Sequence, residues 1–131
     1  MPKSILLIED DRDVLRAMSL RLKANGYDLS VASDAISAVS AARKVKPDLI
    51  VLDIGLPAGD GFVVMERLKS MYDLVLVPII VVSGREPEAT RKKALEAGAF
   101  AHFLKPFDND EFLGAVKKAL GISNGPGSQQ S

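Results

Sequence analysis

Acidic, hydroxyl and ammonium side chains follow the short apolar segments of this chain. The first apolar segment leads into Glu9-Asp10-Asp11, the third ends in Asp53, the fourth ends in Ser83-Gly84, and the fifth leads into Lys105-Pro106. Carboxylates about 4 Å apart repel by roughly 4 kcal/mol at an effective dielectric constant near 20, so a cluster of three either takes up protons or binds a hard cation. Because oxygen ligands without His or Cys select Mg²⁺ or Mn²⁺ over zinc, these residue types predict a Mg²⁺ site, with Mn²⁺ as the alternative ion.

A carboxylate beside a divalent ion, with a lysine and a hydroxyl facing it, is suited to accept a phosphoryl group. Asp53 would be the nucleophile, Lys105 and the metal would neutralise phosphoryl oxygens, and Ser83 would donate a hydrogen bond to a third oxygen. Asp53 ends a buried apolar segment, where a carboxylate is costly unless it has a partner or a function. The residue types therefore predict a phosphoryl-accepting aspartate.

Taken one at a time, most of these residues also have a purely structural interpretation. Asp10 and Asp11 could begin the first helix, near its positive dipole end. Ser83 could be a turn residue and Lys105 a solvated charge. The segment Gly59-Asp60-Gly61 is interpreted as a turn and helix start, not as a phosphate-binding loop. Only the combination at one edge of a sheet is specific.

Placing these residues together requires a parallel sheet covered by helices. Apolar segments without alternation are typical of strands buried on both faces; the predicted strands are Ser4 to Ile8, Asp28 to Ala32, Asp48 to Leu52, Val77 to Val82 and Ala101 to Leu104. The second and fifth are weaker and fit sheet edges. One helix is predicted from Asp34 to Val45, and three amphipathic stripes predict others: Val14, Leu15, Met18 and Leu22; Val64, Met65, Leu68 and Met71; Phe112, Leu113, Val116 and Leu120.

The alternation of strand and helix predicts an α/β fold of five βα units, with right-handed crossovers and a doubly wound sheet. Asp108 and Glu111 have the spacing of a capping box that opens the last helix. The segment from Arg85 to Ala97 is the weakest helix, because its apolar face is little more than Ala94 and Leu95. Ligands of such sheets bind beyond the carboxyl ends of the strands, where the residues described above converge.

Length and composition narrow the function further. The chain has 131 residues, with 17 Lys+Arg against 17 Asp+Glu, which argues against a protein that coats nucleic acid or an anionic membrane. The absence of Cys and the single histidine, His102, exclude disulfides, thiolate zinc sites and multi-histidine metal sites. No apolar run approaches the roughly 20 residues of a membrane helix, and the start does not resemble a signal peptide, so we expect a cytoplasmic protein. Residues 1–121 are expected to form one domain, and 122–131 a disordered tail or the start of a linker.

In this order the motifs resemble those of the receiver domain of bacterial two-component response regulators, as in the chemotaxis regulators, over Lys3 to Leu120. The matching segments are Asp10-Asp11, Asp53 to Pro57 with Gly61, Ser83-Gly84, Ala97-Gly98-Ala99 and Lys105-Pro106-Phe107. The resemblance implies a flavodoxin-like (βα)5 three-layer sandwich whose parallel five-stranded sheet has the order 2-1-3-4-5.

The resemblance also implies a metal site. Asp11 and Asp53 would ligate Mg²⁺ directly, together with the backbone carbonyl of Gly55. Asp10 would act through a water molecule.

By the same resemblance, Asp53 is phosphorylated by a histidine kinase or a histidine phosphotransfer protein. Lys105 and Ser83 would bind the phosphoryl group, assisted by the backbone of Ile54 and Gly84. The peptide bond between Lys105 and Pro106 is expected to be cis.

The function implied is a phosphorylation-controlled signalling switch. Phosphorylation would alter the face formed by the fourth helix, the fifth strand and the fifth helix, and thereby change the binding of a protein target that the sequence does not identify. The chemistry is self-directed, with slow autodephosphorylation, so the protein would not be an enzyme in the turnover sense. We expect no direct contact with nucleic acid or a membrane, and a homodimer that depends on phosphorylation stays open.

His102 departs from the family pattern. Receivers usually carry Tyr or Phe three residues before the lysine, as a rotameric switch that turns inward when the Ser or Thr moves toward the phosphoryl group. Imidazole is smaller, polar at both nitrogens and titrates near neutrality. One hypothesis is that His102 and Ser83 form a softened or differently coupled switch; the alternative is a solvent-exposed histidine with no gating role.

Three other functions compete with the switch. A Mg²⁺-dependent phosphohydrolase of the haloacid dehalogenase type needs a second acid two residues after the nucleophile, and Gly55 occupies that position. A nucleotide or flavin binder would hold phosphate after the first strand, where acids repel it. A constitutive interaction module would be expected to lose Asp53 or Lys105, and both are present.

Overall fold

Strands and helices alternate along the whole described chain. The computed structural model describes residues 2–56, 61–84 and 87–121. Its strands are β1 (Ser4–Ile8), β2 (Asp28–Ala32), β3 (Leu49–Asp53), β4 (Ile79–Ser83) and β5 (Ala101–Leu104). Its helices are α1 (Arg12–Ala24), α2 (Ala35–Val45), α3 (Gly61–Lys69), α4 (Pro87–Glu96) and α5 (Asn109–Ala119), with a short 3₁₀ helix at Tyr72–Leu74.

The five strands form one parallel sheet in the order β2-β1-β3-β4-β5. This order confirms the predicted doubly wound, flavodoxin-like fold, and β2 and β5 are its edges. β1 and β3 are neighbours in space although β2 lies between them in sequence, so the strand order reverses at this point. Crevices at such a reversal are where open α/β sheets bind ligands.

The core has two halves because side chains alternate across the sheet. In β1, Ile5 and Leu7 pack on one side with α1 and α5, whereas Leu6 and Ile8 pack on the other with α2 and α3. Every residue of β3 and β4 is buried. This burial on both faces explains why these two strands read as continuous apolar runs.

Some predicted boundaries were wrong by one or two residues. β3 runs one residue later than expected, so Asp53 is its last residue. β4 begins at Ile79, because Pro78 has no N–H to donate into the ladder, although its carbonyl accepts from the Ile50 N–H at 3.0 Å. α3 ends at Lys69, so Met71 lies beyond the helix it was predicted to join.

Among the described residues, aspartates cap the starts of three helices. The Asp34 side chain accepts a hydrogen bond from the Ser37 N–H at the start of α2. The Asp108 side chain accepts from the Glu111 N–H at the start of α5, at 2.9 Å, which is one half of the predicted capping box. The third aspartate is Asp11, which caps α1 and is described with the functional site below.

α4 is attached by few apolar contacts. Of its described side chains only Ala94 is buried, while Leu95, which was predicted to share this role, is 37% exposed. Lys93 adds a cation–π contact, with its ammonium 4.4 Å from the centre of the Phe62 ring on α3. A helix held by so little burial can shift at small free-energy cost.

Within the described ranges, no helix combines the length and apolar character needed to cross a membrane. Four parts of the sequence interpretation lie outside the described residues: Pro57, the turn at Gly59-Asp60, Arg85 and the tail at 122–131.

Candidate functional site

The carboxyl ends of the strands bring the predicted side chains to one edge of the sheet. Asp53 ends β3, Ser83 ends β4, and Lys105 follows β5. A cavity of about 490 Å³ opens between them, and its lining consists of Asp53, Ile54, Gly55, Leu56, Ser83, Gly84, Thr90 and Lys105. Thr90, from α4, is the one lining residue that the sequence had not assigned to the site or its loop.

Lys105 holds two buried carboxylates together. Its Nζ lies 2.9 Å from Glu9 Oε1 and 3.3 Å from Asp53 Oδ2. The peptide bond that follows it is cis, as expected. Partial burial would lower the pKa of Lys105, but the hydrogen bond from its ammonium to Glu9 and the charges of Asp53 and Glu9 outweigh that effect and raise it. Lys105 is therefore positively charged throughout the neutral range.

The acidic cluster includes Glu9, to which the sequence had assigned no role of its own. Glu9 is fully buried, and carboxylate oxygens of Glu9, Asp10 and Asp53 all lie within 4.8 Å of one another. Asp11 instead caps α1, because its Oδ1 accepts the Asp13 N–H at 2.9 Å and the Val14 N–H at 3.2 Å.

The structure groups Asp10 with Glu9, whereas the sequence analysis paired Asp10 with Asp11. A helix needs an acceptor for its first N–H groups, and Asp11 is the acid adjacent to the helix start. The role of Asp11 as a direct metal ligand stays a prediction, and the acids that cluster with Asp53 are Glu9 and Asp10.

Burial of Glu9 perturbs its ionisation. Desolvation by burial raises the pKa of Glu9 from 4.5 to about 7, and this outweighs the opposing hydrogen bond from Lys105. The nearby Asp53 carboxylate adds to the rise. One lysine thus leaves the negative charge at this edge incompletely compensated.

Two glycines shape the loop that follows Asp53. The Gly55 N–H donates to Asp53 Oδ1 at 2.9 Å, and a Cβ at Gly55 would lie 3.4 Å from the same oxygen, so glycine leaves this side of the carboxylate open. A Cβ at Gly61 would lie 2.2 Å from the Ile54 Cα, so no side chain fits there. The start of α3 is thereby pressed against the residue that follows Asp53.

The two predicted backbone contacts to phosphate differ in this structure. Gly84 lines the cavity. The Ile54 N–H, by contrast, donates to the Val82 carbonyl at 3.2 Å and is already used. The contact of the Ile54 N–H to phosphate stays a prediction, and it would require this hydrogen bond to the Val82 carbonyl to be exchanged.

Ser83 and His102 are hydrogen-bonded to each other, a contact that was not predicted from the sequence. Ser83 Oγ and His102 Nε2 are 2.8 Å apart. His102 is half-buried, and burial together with the charge of Arg91 lowers its pKa. Because His102 pairs with Val81 and Ser83 pairs with Leu104, the two side chains are diagonal neighbours on one face of the sheet. His102 is therefore not the solvent-exposed residue of the alternative interpretation, since it is half-buried and contacts Ser83. A gating role for His102 stays a hypothesis.

The fold and the site define a class: a doubly wound α/β domain with carboxylates, a lysine and a serine around one cavity at the carboxyl edge of the sheet. Residues 5–117 match the family model of the response regulator receiver domain. The chain therefore belongs to the response regulator receiver domain family, a family of signalling domains of two-component systems.

Named relatives support this membership. The chain is 36% identical over 116 residues to the transcriptional regulatory protein KdpE of Mycobacterium tuberculosis, and 35% identical over 120 residues to the response regulator MprA of Mycobacterium sp.. These alignments cover 88% and 92% of this chain but 50% and 51% of the relatives. The chain thus spans about half the length of the curated relatives it matches.

Solved structures agree with the fold. A CheY-like receiver domain protein from Methanospirillum hungatei has a TM-score of 0.85 at 26% identity, covering 92% of this chain and 95% of that one. The receiver domain of the sensor histidine kinase PA1611 from Pseudomonas aeruginosa has a TM-score of 0.84 at 27% identity, covering 92% of this chain and 99% of that one. In the latter structure a magnesium ion is coordinated in the active site cleft.

Proposed function

We propose that this domain is a phosphorylation-controlled switch in which Asp53 accepts a phosphoryl group from a histidine kinase or a histidine phosphotransfer protein. One observation carries the proposal: Asp53, Lys105 and Ser83 line the same cavity, and the lysine ammonium lies 3.3 Å from the Asp53 carboxylate. A nucleophile, a fixed positive charge and a hydroxyl donor thus surround one space that can hold a phosphoryl group.

The donor set fits Mg²⁺, with Mn²⁺ as the alternative. Carboxylate oxygens are ligands that these ions prefer. Burial raises the pKa of Glu9 to about 7, so its charged form is disfavoured, and a divalent cation nearby would favour that charged form. We place Asp10, Asp53 and the Gly55 carbonyl as direct ligands, with Glu9 acting through water. When bound, the ion would neutralise phosphoryl oxygens during transfer.

The chain's own residues perform the rest of the transfer. An Asp53 carboxylate oxygen attacks phosphorus, the P–N bond of the donor phosphohistidine breaks, and the released imidazole takes a proton from solvent. Lys105 stays charged and holds the phosphoryl oxygens in place. Ser83 donates its hydroxyl proton to another of them.

The same geometry argues against turnover of external phosphoesters. At Gly55, two residues after the nucleophile, there is no side chain to act as a general acid. The space beside Asp53 Oδ1 admits water, so slow autodephosphorylation is the expected fate of the acyl phosphate. We therefore propose a self-directed reaction, and place it in the cytoplasm.

An apolar cavity beside the site suits the phosphodonor. It has a volume of about 450 Å³, lies between α1 and α5, and its lining includes Val14, Met18, Phe107 and Phe112 together with Lys105. A helix of the donor protein that packs its apolar face here would bring a phosphohistidine close to Lys105.

The output surface is proposed to be the face of α4, β5 and α5. α4 is held by little burial, and His102 links β5 to Ser83 in the cavity. A change at the phosphoryl group can therefore reach this face, which would alter the binding of a protein target or a second copy of the domain. Balanced charge gives no support for direct binding of nucleic acid or a membrane by this domain.

The test is incubation with Mg²⁺ and acetyl phosphate, followed by intact mass spectrometry. We expect one phosphoryl adduct that is lost in Asp53→Ala and retained in Asp73→Asn, an exposed acid remote from the site. An adduct that survives Asp53→Ala, or its absence from the wild type, would refute the proposal. Steady release of phosphate from p-nitrophenyl phosphate would favour a phosphohydrolase instead.

A further inference from the structure

One hydroxyl group faces two partners at the edge of the cavity. Ser83 Oγ lies 2.8 Å from His102 Nε2, while the Ser83 side chain also lines the cavity with Asp53 and Lys105. Ser83 itself is only 4% exposed. Its single proton can therefore be given either to the imidazole or to a group in the cavity, but not to both.

The identity of the cavity ligand decides where that proton goes. Oxygens of a phosphoryl group on Asp53 carry lone pairs and no proton, so Ser83 must be the donor toward them. If His102 Nε2 were also unprotonated, two lone pairs would face each other at 2.8 Å. The contact survives phosphorylation only if Nε2 carries a proton and donates it to Ser83 Oγ.

We propose that His102 is a positioning residue whose Nε2 accepts the Ser83 proton in the unphosphorylated domain and donates to Ser83 Oγ in the phosphorylated domain. The inference rests on the proposed function, since it requires a phosphoryl group at Asp53. The ring stays inward in both states, so what changes is the tautomer and not the rotamer. On exchange, Nδ1 releases its proton to water and Nε2 takes one from water, and the net charge of the ring stays zero.

The surroundings of His102 favour this exchange over formation of an imidazolium ion. Burial and the positive charge of Arg91 on α4 both disfavour the charged ring. A neutral imidazole has one donor and one acceptor nitrogen, so it can reverse its role toward Ser83 without gaining charge. The half-exposed position of the ring leaves a route for proton exchange with water.

Nitrogen-15 NMR of the imidazole tests the proposal directly, because His102 is the only histidine in the chain. The probe is beryllofluoride with Mg²⁺, a phosphoryl mimic whose binding is followed separately by fluorine-19 NMR. At pH 8 we expect a protonated Nδ1 without the mimic and a protonated Nε2 with it. If the mimic binds and the tautomer of His102 is the same with and without it, the inference is overturned and the proposed function still stands. Failure of the mimic to bind overturns both.

Variants separate positioning from simple packing. His102→Phe keeps a planar ring without nitrogen. Because the proposed contact to Ser83 exists with and without the mimic, its loss cancels, and we expect the variant to bind the mimic within about twofold of the wild type. His102→Gln can accept or donate at a similar place and should also bind within about twofold. Ser83→Ala should abolish the tautomer change. Binding by His102→Phe that is about two- to tenfold tighter, the range of one hydrogen bond, would mean that the wild-type contact breaks when the mimic binds, and would contradict the proposed role.

Discussion

Glu9→Gln should remove a pH-dependent loss from the free energy of unfolding of the metal-free domain. Glu9 is fully buried, and burial raises its pKa from 4.5 to about 7. A carboxyl whose pKa is higher in the folded protein binds its proton more tightly there than in the unfolded chain. The contribution of the protonated Glu9 carboxyl to the free energy of unfolding is therefore complete below about pH 4.5 and is lost as the pH rises through about 7.

The pKa shift of Glu9 sets the size of this effect. At about 1.4 kcal/mol for each tenfold change in proton affinity, a pKa that rises from 4.5 to about 7 corresponds to at most about 3 kcal/mol in the free energy of unfolding. This pKa already includes the opposing hydrogen bond from Lys105, whose ammonium is 2.9 Å away. We expect the wild type to lose about 1–3 kcal/mol relative to Glu9→Gln between pH 5 and pH 8.

Urea unfolding in a metal-free buffer containing a chelator measures the difference at several pH values. Burial lowers the pKa of His102, so this residue gives the opposite slope, but wild type and variant share it and it cancels in the comparison. Glu66→Gln, an exposed glutamate on α3, is the matched control and should follow the wild type. If wild type and Glu9→Gln differ by the same amount at pH 5 and pH 8, the reasoning about buried charge is wrong. Excess Mg²⁺ should remove most of the difference.

Three further substitutions test the packing that carries the site. Asp108→Ala removes the acceptor of the Glu111 N–H at the start of α5 and should cost about 1 kcal/mol, measured by urea unfolding, with phosphorylation retained. Phe112 is 2% exposed and its ring contacts those of Phe103 and Phe107. Phe112→Ala leaves a cavity there and should lower the free energy of unfolding by about 3–5 kcal/mol in the same assay. Gly61→Ala would place a Cβ 2.2 Å from the Ile54 Cα, so acetyl phosphate labelling should fall more than in Gly114→Ala, where a Cβ meets open space; equal labelling would contradict the close approach.

The sheet and most of the site could be predicted because each strand is recognisable from its local sequence. Apolar runs such as Ile5 to Ile8 must be buried, and parallel strands put their carboxyl ends at one edge. Asp53, Ser83 and Lys105 were placed on this basis, and the structure brings all three to one cavity. Such predictions need only the order of elements, not the details of packing.

Glu9 was placed in the acidic cluster without a role of its own, because three consecutive acids do not show which of them faces the cavity. The structure resolves this through the helix start: Asp11 must accept the first N–H groups of α1, and Glu9 continues the buried strand. A signal was present in the sequence, since an acid directly before a helical segment is the usual cap. The Ser83–His102 contact was missed for another reason: it depends on the register between β4 and β5, which no local pattern specifies.

In the function proposed above, Glu9 would allow one lysine to serve both the empty and the phosphorylated site. With all groups ionised, the carboxylates of Glu9, Asp10 and Asp53 and the ammonium of Lys105 leave a net charge of −2, which opposes an anionic phosphodonor. A divalent cation cancels this charge, so metal binding should precede transfer. Lys105 has three N–H donors, of which Glu9 takes one at 2.9 Å and Asp53 a second at 3.3 Å. The contact to Glu9 is the shorter of the two, and the Glu9 side chain is fully buried. Glu9 can therefore hold the ammonium in place while Lys105 exchanges its contact to Asp53 for one to a phosphoryl oxygen.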